Sequence, residues 1–384
     1  MSMERPRVLV VGAGGYGRVY VDALLREDLG ADLAGVCDLA PDLLERVPEL
    51  KERHIPVYRE LADFYARDSA DLAVLVSPVH FHRDMTLYCL AHGSHVLCEK
   101  PLCLTAGEAE DMAAAAKAAG RFLSLGYQLD YRRDVLALKK DILAGRYGAP
   151  KRLGVYHGYR RGERYYARND WAGKVTVHGR EVLDSPFTNA CAHNFQMMTF
   201  LLGDSLRAAC GVTGLEAELY RGNPQVENFD IAALRFATDC GAELMYFTAH
   251  PIAPDVLGPR GVFEFEEGTI TFDSEGPSFR ARMKDGRQVD YTGIAPGHPL
   301  QKLLDALQAV REGGAPVCGV EADRGHIRAV RLVQACPVAN VREELCIPYT
   351  QEGQRFLRVE GIEQLFSDCL DAWALPGELG RRLD

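Results

Sequence analysis

The first third of the chain alternates short apolar runs with longer stretches in which apolar residues recur at helical spacing. The short runs have the length of buried strands, and the longer stretches have the 3.6-residue period of helices that cover a sheet. The predicted strands are 7–11, 31–37, 71–76, 94–98 and 122–125. Regular alternation of strand and helix predicts an α/β fold with a doubly wound parallel sheet in residues 1–127.

The pattern changes after this segment. A helix is predicted over 131–143, and the strands that follow, 152–159, 229–237 and 243–248, alternate in hairpin style. This favours a second α/β domain, residues 128–345, with a large mixed, mostly antiparallel sheet. Residues 346–384 are predicted to be a tail that packs on the domains. A sheet with one open face needs cover, so we expect a homodimer or homotetramer.

Composition narrows the classes of protein. The 384 residues are 47% hydrophobic and carry a formal net charge of −10, which argues against binding of nucleic acid or anionic membranes. The eleven cysteines show no C-x-x-C pair, and their odd number excludes a complete disulfide framework. With no signal peptide or membrane span evident, we expect a cytoplasmic protein.

A glycine-rich turn follows the first predicted strand and precedes a helix. Its sequence is Gly12-Ala-Gly14-Gly-Tyr-Gly17. Gly12 permits a tight turn, Gly14 lets the backbone approach a pyrophosphate, and Gly17 allows the helix to pack closely on the strand. We therefore predict a dinucleotide site here, with Gly15 and Tyr16 among its contacts.

Asp38 ends the second predicted strand, 21 residues after Gly17. A carboxylate at this position accepts hydrogen bonds from the adenosine ribose and repels a 2′-phosphate, so NAD is expected rather than NADP. The alternative is that Asp38 only caps a helix signalled by Pro41.

Two further segments lie at predicted strand ends near the cofactor. Ser77 and Pro78 follow the third predicted strand, and His80 and His82 come directly after them. Because the two histidines are two residues apart on a helix, their side chains diverge by about 200° and make a poor metal pair. No metal is expected, and we place His82 with Ser77 and Pro78 among the predicted cofactor contacts.

The segment His95-Val-Leu-Cys-Glu-Lys-Pro101 is an apolar strand that ends in an acid, a base and a proline. Charges at such a strand end are expected to face the crevice where open α/β sheets bind ligands. Lys100 is therefore the first catalytic candidate, and a cis bond to Pro101 would turn its ammonium into the crevice. The alternative is an exposed turn with a solvated pair of charges, Glu99 and Lys100.

A basic and aromatic stretch, 156–171, stands out in the second domain. Residues 151–180 contain eight lysines and arginines against two carboxylates. Rings interleaved with guanidinium groups suit a sugar face or a small anion, and we predict that Tyr159, Arg160 and Trp171 bind the substrate. The alternatives are a platform for single-stranded nucleic acid, which the net charge opposes, and a solvated loop paired with acids of a neighbouring subunit.

A helix is predicted to begin at Asp184 or Ser185, with Pro186 in its first turn. Three polar residues are predicted to share one face of it: Asn189, His193 and Gln196. A histidine there can remove a proton from a substrate hydroxyl, and an amide can position that hydroxyl. We predict these roles for His193 and Asn189; the alternative is an ordinary solvent-facing histidine.

Together these motifs resemble the Gfo/Idh/MocA oxidoreductases, which include glucose-fructose oxidoreductase and inositol dehydrogenase. The glycine turn, Cys98-Glu-Lys-Pro101 and His193 carry the resemblance. It implies that Lys100 binds substrate near the nicotinamide, that Glu99 and Pro101 complete the cofactor wall, and that His193 accepts the proton. Gln128, in a segment similar to the family's, is a further expected cofactor contact.

The chain also departs from the family pattern. Asn189 stands where the family usually has an aspartate, and Leu129 and Asp130 stand where arginines often follow. We expect an NAD-dependent oxidoreductase that transfers hydride between nicotinamide and a hydroxyl of a sugar, cyclitol or related polyol. The alternatives are a glycoside hydrolase that uses NAD in transient oxidation, and a nicotinamide-binding regulator without catalysis.

Overall fold

The structure is a computed structural model and describes residues 5–273 and 279–384. These residues form two compact units. The first comprises the described residues up to Tyr131 together with His298–Glu321, and the second comprises those from Arg132 to Gly297 together with Ala322–Asp384.

The elements have the following bounds. The strands are β1 (Arg7–Val11), β2 (Asp32–Cys37), β3 (Val57–Tyr58), β4 (Leu72–Leu75), β5 (His95–Cys98), β6 (Leu123–Leu125), β7 (Pro150–Tyr159), β8 (Thr176–Val177), β9 (Arg180–Glu181), β10 (Val212–Arg221), β11 (Ile231–Thr238), β12 (Glu243–Ala249), β13 (Val256–Phe265), β14 (Gly268–Phe272), β15 (Arg280–Met283), β16 (Gln288–Asp290), β17 (Val338–Asn340), β18 (Cys346–Gln351) and β19 (Gln354–Val359). The helices are α1 (Gly17–Arg26), α2 (Leu43–Arg46), α3 (Pro48–Glu52), α4 (Leu61–Tyr65), α5 (His82–Ala91), α6 (Ala106–Ala119), α7 (Arg133–Leu143), α8 (Glu163–Tyr166), α9 (Ala192–Leu201), α10 (Gln301–Glu312), α11 (Val320–Gln334) and α12 (Ile362–Ala372).

The first unit is built on a parallel sheet of six strands in the order β3-β2-β1-β4-β5-β6. This is the doubly wound order of dinucleotide-binding folds, with the topological switch at β1 and β4. The predicted parallel sheet is confirmed. Its helices have local signals: α6 begins with a capping box in which Thr105 and Glu108 bond reciprocally, and it ends at Gly120 with φ 63°.

Helix α10 belongs to the first unit, although the predicted boundaries placed it in the domain 128–345. Its apolar residues Leu303 and Leu307 are buried in the same core as Val10 and Leu97 of the parallel sheet. An amphipathic pattern shows that a helix covers a sheet but does not show which one. Because α10 lies within residues 128–345 in sequence, the prediction assigned it to the second domain.

The second unit holds a sheet of nine strands in the order β16-β15-β14-β13-β7-β12-β11-β10-β17. Strand β12 pairs with β7 in parallel and β10 pairs with β17 in parallel, while the remaining neighbours are antiparallel. The prediction of a mixed, mostly antiparallel sheet is confirmed. Strand β10 and most of β13 to β16 were not identified from the pattern.

Helices cover both faces of the central strands of this sheet. Tyr246 and Phe247 are neighbours on β12 and point to opposite faces, as strand geometry requires. The ring of Tyr246 lies 5.8 Å from Phe195 of α9, and the ring of Phe247 lies 5.5 Å from Phe366 of α12. Helix α12 of the C-terminal segment thus covers part of a sheet face that we expected a partner subunit to cover. No helix of the described residues is long and apolar enough to cross a membrane.

Candidate functional site

The glycine turn has the shape that a dinucleotide requires. Gly12 has φ 85°, and a Cβ on Gly17 would lie 1.9 Å from the carbonyl oxygen of Gly12, so both positions need glycine. A Cβ on Gly14 would meet no atom within 4 Å. This open space lies beside the first turn of α1, where backbone N–H groups can bind phosphate. The chain therefore fits the pyrophosphate of a dinucleotide here.

Asp38 ties the end of β2 to the glycine turn. Its Oδ2 accepts a hydrogen bond from the Ala13 N–H at 2.6 Å, and its Oδ1 accepts one from the Ala40 N–H at 2.8 Å. Helix α2 begins only at Leu43, so Asp38 does not cap it and that alternative is wrong. A carboxylate has about four lone-pair positions, which leaves capacity for ribose hydroxyl groups.

Tyr16 and Gln128, both predicted cofactor contacts, lie together in the first unit. The Tyr16 hydroxyl donates to Oε1 of Gln128 at 3.4 Å, and Tyr16 is 40% exposed. The glycine turn and the segment after β6 therefore meet at the carboxyl edge of the sheet. Their contact with the cofactor itself stays a prediction.

His82 is buried, and its ring nitrogens lie within hydrogen-bonding distance of backbone carbonyl oxygens. Its Nε2 lies 2.7 Å from the carbonyl oxygen of Ser77, and its Nδ1 lies 2.9 Å from that of Pro101. Burial lowers the pKa of the imidazole. His82 thus links the segments that follow β4 and β5, the two segments that carry Ser77, Pro78 and Lys100. A direct contact of His82 with NAD stays a prediction.

The end of β5 carries the Glu-Lys-Pro motif in a defined geometry. The Lys100–Pro101 bond is cis, and Lys100 is partly buried. Glu99 is only 7% exposed, so the alternative of a solvated Glu-Lys pair is wrong. Its Oε1 accepts hydrogen bonds from the Tyr20 hydroxyl and from Nζ of Lys302, each at 2.5 Å. Glu99 therefore remains inside the unit as part of a buried ion pair.

Lys302 is a residue that the sequence reasoning missed. It lies on α10, is 1% exposed, and also donates to the Gly126 carbonyl oxygen at 3.0 Å. A Cβ on Gly126 would lie 2.6 Å from the Glu99 carboxyl group, so this glycine makes room for the pair. The available signal was a lysine next to Leu303 on the apolar face of an amphipathic helix. Such a lysine requires a buried partner.

In the second unit, His157 connects the sheet to the helix that carries His193. His157 is buried on β7, and the amide Nδ2 of Asn194 on α9 lies 2.8 Å from its Nδ1. Because an amide N–H donates, the proton of the neutral imidazole is on Nε2. Burial, reinforced by the charge of Arg161, lowers the pKa of His157 to about 4. A neutral His157 thus fixes the residue next to His193.

The predicted continuous helix with a polar face is wrong. Ser185 does cap the segment, accepting from the Thr188 N–H at 3.1 Å, but residues Pro186–Ala190 form a π-helical turn and α9 begins at Ala192. Gln196 is fully buried and donates to the Ala322 carbonyl oxygen. The prediction assumed a period of 3.6 residues per turn across a segment whose helical pitch changes.

His193 is nevertheless distinctive on α9. Every other residue of this helix is buried, while His193 keeps intermediate exposure. The C-terminal end of α9 is fixed by the buried Lys139, whose Nζ donates to the Phe200 carbonyl oxygen at 2.5 Å. A cation at that end complements the helix dipole. The helix is thus a rigid support for the one ring that stays accessible.

An acid lies next to Asn189, but it comes from a different sequence position than the family pattern implies. Asn189 Nδ2 donates to Oδ1 of Asp184 at 2.8 Å, and Oδ2 of Asp184 accepts from the Gly173 N–H at 2.7 Å. Asp184 is 5% exposed. The carboxylate absent at position 189 is therefore supplied five residues earlier, and it orients the Asn189 amide.

The basic and aromatic stretch divides into two parts. Arg160 pairs with Asp255, donates to Oε1 of Gln351 at 2.7 Å, and lies over the ring of Phe356. It thus binds the β18–β19 hairpin, and its predicted contact with substrate stays a prediction. This arrangement also shows that an acid of the same chain, not of a neighbouring subunit, pairs with Arg160.

The next arginine is arranged differently. The Arg161 guanidinium lies 4.5 Å from the ring of Tyr165 and 5.2 Å from that of Tyr159, and its Nε is buried without a hydrogen-bond partner. Arg168 lies over Tyr165 at 3.9 Å and near Trp171. Stacked arginines of this kind retain donors for an anion or a sugar. Arg161 and Arg168 are better candidates than Arg160, and their spacing from Tyr159 and Trp171 was the available signal.

A metal centre has no support in the part of the chain that the structure describes. Within residues 5–273 and 279–384, no three His, Cys, Asp or Glu side chains come together in a way that could hold an ion.

Comparisons with known proteins agree with this fold. Residues 6–127 match the Gfo/Idh/MocA family model, described as an oxidoreductase family with an NAD-binding Rossmann fold. An inositol 2-dehydrogenase of Klebsiella pneumoniae is 30% identical over 200 residues, which are 52% of this chain and 55% of that protein. The chain thus matches about half the length of such curated relatives.

Two solved structures extend the similarity of fold over most of the chain. The WlbA dehydrogenase from Bordetella pertussis, in complex with NADH and UDP-GlcNAcA, has a TM-score of 0.71 at 20% identity and covers 86% of this chain and 95% of its own. The myo-inositol 2-dehydrogenase from Lactobacillus plantarum has a TM-score of 0.67 at 17% identity and covers 86% and 97%. At these identities the similarity shows the fold.

Proposed function

We propose that this protein, whose residues 6–127 match the Gfo/Idh/MocA oxidoreductase family model, oxidises a hydroxyl group of a sugar, cyclitol or related polyol with NAD. The observation that carries the proposal is the end of β5. There the buried Glu99 is held by Lys302, and Lys100 follows directly at the carboxyl edge of the sheet. Ligands of open α/β sheets bind at this edge.

In the proposed reaction, His193 accepts the proton of the substrate hydroxyl and Lys100 stabilises the developing negative charge on that oxygen. Bound NAD supplies the hydride acceptor. Asn189, Tyr159 and Trp171 hold the substrate. Support for His193 comes from its exposure on an otherwise buried helix, and support for Asn189 comes from its orientation by Asp184.

NAD is proposed in preference to NADP because of Asp38. Its carboxylate, fixed between Ala13 and Ala40, presents a negative charge at the end of β2, and no lysine or arginine follows it directly. A 2′-phosphate at that position would be repelled. Direct measurement of the two dissociation constants tests this preference.

The substrate class rests on the relatives and on the aromatic and basic residues of the second unit. Inositol and a UDP-linked sugar acid are named for similar proteins. Tyr159, Arg161 and Trp171 offer rings and cations that suit a sugar face or an anionic sugar. A panel of inositols, free sugars, sugar acids and UDP-sugars with NAD, followed by NADH absorbance, should show reduction with at least one member.

Two other results would replace this proposal. Cleavage of a chromogenic glycoside with no accumulation of NADH would favour a glycoside hydrolase that uses transient oxidation. Tight binding of NAD with no change in any polyol of the panel would favour a regulator without catalysis. The panel therefore distinguishes all three functions with the same preparation.

A homodimer or homotetramer is also proposed, and the exposure pattern of the nine-stranded sheet supports it. Along β13 buried residues alternate with partly exposed ones, so one face of this strand is incompletely covered. Light scattering of the purified protein measures its mass in solution. A monomer at micromolar concentration would reject the proposal.

A further inference from the structure

Strands β10 and β11 form an antiparallel ladder that continues beyond its last regular pair. In this ladder Val212 lies opposite Thr238. One residue further, the Asp239 N–H donates to the Gly211 carbonyl oxygen at 3.0 Å, and the Gly211 N–H donates to Oδ1 of Asp239 at 2.9 Å. Residues 211 and 239 are therefore also opposite each other.

The next residues outward are two cysteines, Cys210 and Cys240. Cys210 precedes the contact between Gly211 and Asp239. Cys240 follows it, in the turn that the Gly241 N–H closes by donating to the Thr238 carbonyl oxygen at 3.3 Å. The two thiols approach closely enough for each to shift the pKa of the other.

A helix of the same unit holds this end of the ladder in place. Arg324 on α11 donates to Oδ2 of Asp239 at 2.7 Å and to the Ala209 carbonyl oxygen at 2.9 Å. The guanidinium thus connects the residues just before Cys210 and Cys240. The guanidinium therefore restrains the chain next to both cysteines.

The two cysteines differ in environment. Cys240 is exposed and Cys210 is 2% exposed. The hydrogen bond from the Cys210 thiol lowers the pKa of Cys240 to about 6, and the same contact together with burial raises the pKa of Cys210. Of the charged groups here, Asp239 opposes and Arg324 favours thiolate formation. An exposed thiolate beside a buried thiol is the arrangement of a reactive and a resolving cysteine.

We propose that Cys240 and Cys210 form a site of reversible oxidation that hydrogen peroxide converts to a disulfide. The Cys240 thiolate attacks one oxygen of the peroxide, the O–O bond breaks, and water leaves after proton uptake. Cys210 then attacks the sulfenic sulfur, the S–O bond breaks, and a second water leaves with the Cys210 proton. The two sulfurs are oxidised by two electrons and the peroxide is reduced. The site lies outside the proposed catalytic residues.

The remaining cysteines provide matched controls. Cys336 and Cys346 have intermediate exposure, and burial raises the pKa of both thiols. Neither is expected to react at neutral pH. Cys336→Ser is therefore a control that removes an accessible thiol and leaves the pair intact.

The experiment is peptide mapping of the folded protein. Protein treated with hydrogen peroxide is alkylated and digested with trypsin, which releases Ala208–Arg221 and Phe236–Arg260, each with a single cysteine. We expect these peptides to be joined in the treated sample and separated by dithiothreitol. Cys240→Ser should abolish the link, and Cys336→Ser should leave it unchanged.

The order of reaction is tested with Cys210→Ser. This variant should trap Cys240 as a sulfenic acid that a dimedone probe labels, and Cys240→Ser should leave Cys210 unlabelled. Alkylation of Cys240 by iodoacetamide near pH 7 should be roughly tenfold faster than alkylation of Cys336. The absence of the linked peptides in the treated wild type would overturn the proposal. An equal yield of disulfide-linked peptides that contain other cysteines would also overturn it.

Discussion

The Glu99 carboxylate lies 2.5 Å from the ammonium of Lys302, although 203 residues separate the two in the chain. Both side chains are almost fully buried in the first unit. The chain thus leaves the parallel sheet after β6 and returns with α10 to neutralise the acid that precedes Lys100. The Glu-Lys-Pro strand end is therefore shaped by a residue that is remote in sequence.

Removal of Lys302 should destabilise the protein strongly. Lys302→Met leaves the Glu99 carboxylate buried without its cation, which costs about 3–5 kcal/mol in free energy of unfolding. The double variant Glu99→Gln with Lys302→Met should lose less than the sum of the two single changes. Calorimetric unfolding measures both, and Gln308→Met, on the exposed face of the same helix, is the matched control. Additive losses would mean that the pair is not coupled.

Asp38 should determine the choice of dinucleotide. Asp38→Ala removes the negative charge at the end of β2, where we propose that the ribose binds, so the ratio of NADP to NAD dissociation constants should fall by roughly tenfold or more. Isothermal titration with each dinucleotide measures the ratio. An unchanged ratio in a folded variant would show that Asp38 only anchors the glycine turn.

Restoration of the family aspartate at position 189 should lower the stability of the protein. Asn189→Asp places a second carboxylate against Asp184, because the present contact is a 2.8 Å hydrogen bond from the amide. Like charges at that distance raise one pKa and lower stability by about 1–3 kcal/mol. The swap Asp184→Asn with Asn189→Asp recreates the bond in reverse and should recover stability. A stable single variant would contradict the electrostatic role of Asp184.

The second unit should lose stability in mild acid. The folded-state pKa of His157 is about 4, below the ordinary value near 6.5, so its contribution is present above pH 6.5 and is lost as pH falls toward 4. A shift of this size corresponds to roughly 3 kcal/mol. His157→Gln should flatten the profile of unfolding free energy between these pH values. His178→Asn, at an exposed histidine, should leave the slope unchanged.

Local patterns predicted much of the first unit. The positions of Gly12 and Gly17 follow from the steric needs of one turn, and the capping box at Thr105 is a signal within four residues. Each depends on neighbours in sequence, so each could be predicted. The cis bond before Pro101 could be considered but not assigned, since both isomers suit the same sequence.

Contacts between distant segments could not be predicted in the same way. Lys302 contacts Glu99 only after α10 packs on the parallel sheet, and Gln196 is buried because α9 is covered on nearly every side. The sequence does not distinguish Arg160 from Arg161 as a substrate contact, because the two arginines are adjacent in the same basic stretch. Only the position of Asp255 and the β18–β19 hairpin distinguishes them.

The most direct measurement is the rate of NADH formation by His193→Ala with the polyol that the panel identifies. Loss of the proposed base should lower kcat by about 10²-fold or more while the dissociation constant for NAD stays unchanged. His178→Asn should match the wild type in both quantities. Wild-type turnover by His193→Ala would contradict the assignment of His193 as proton acceptor.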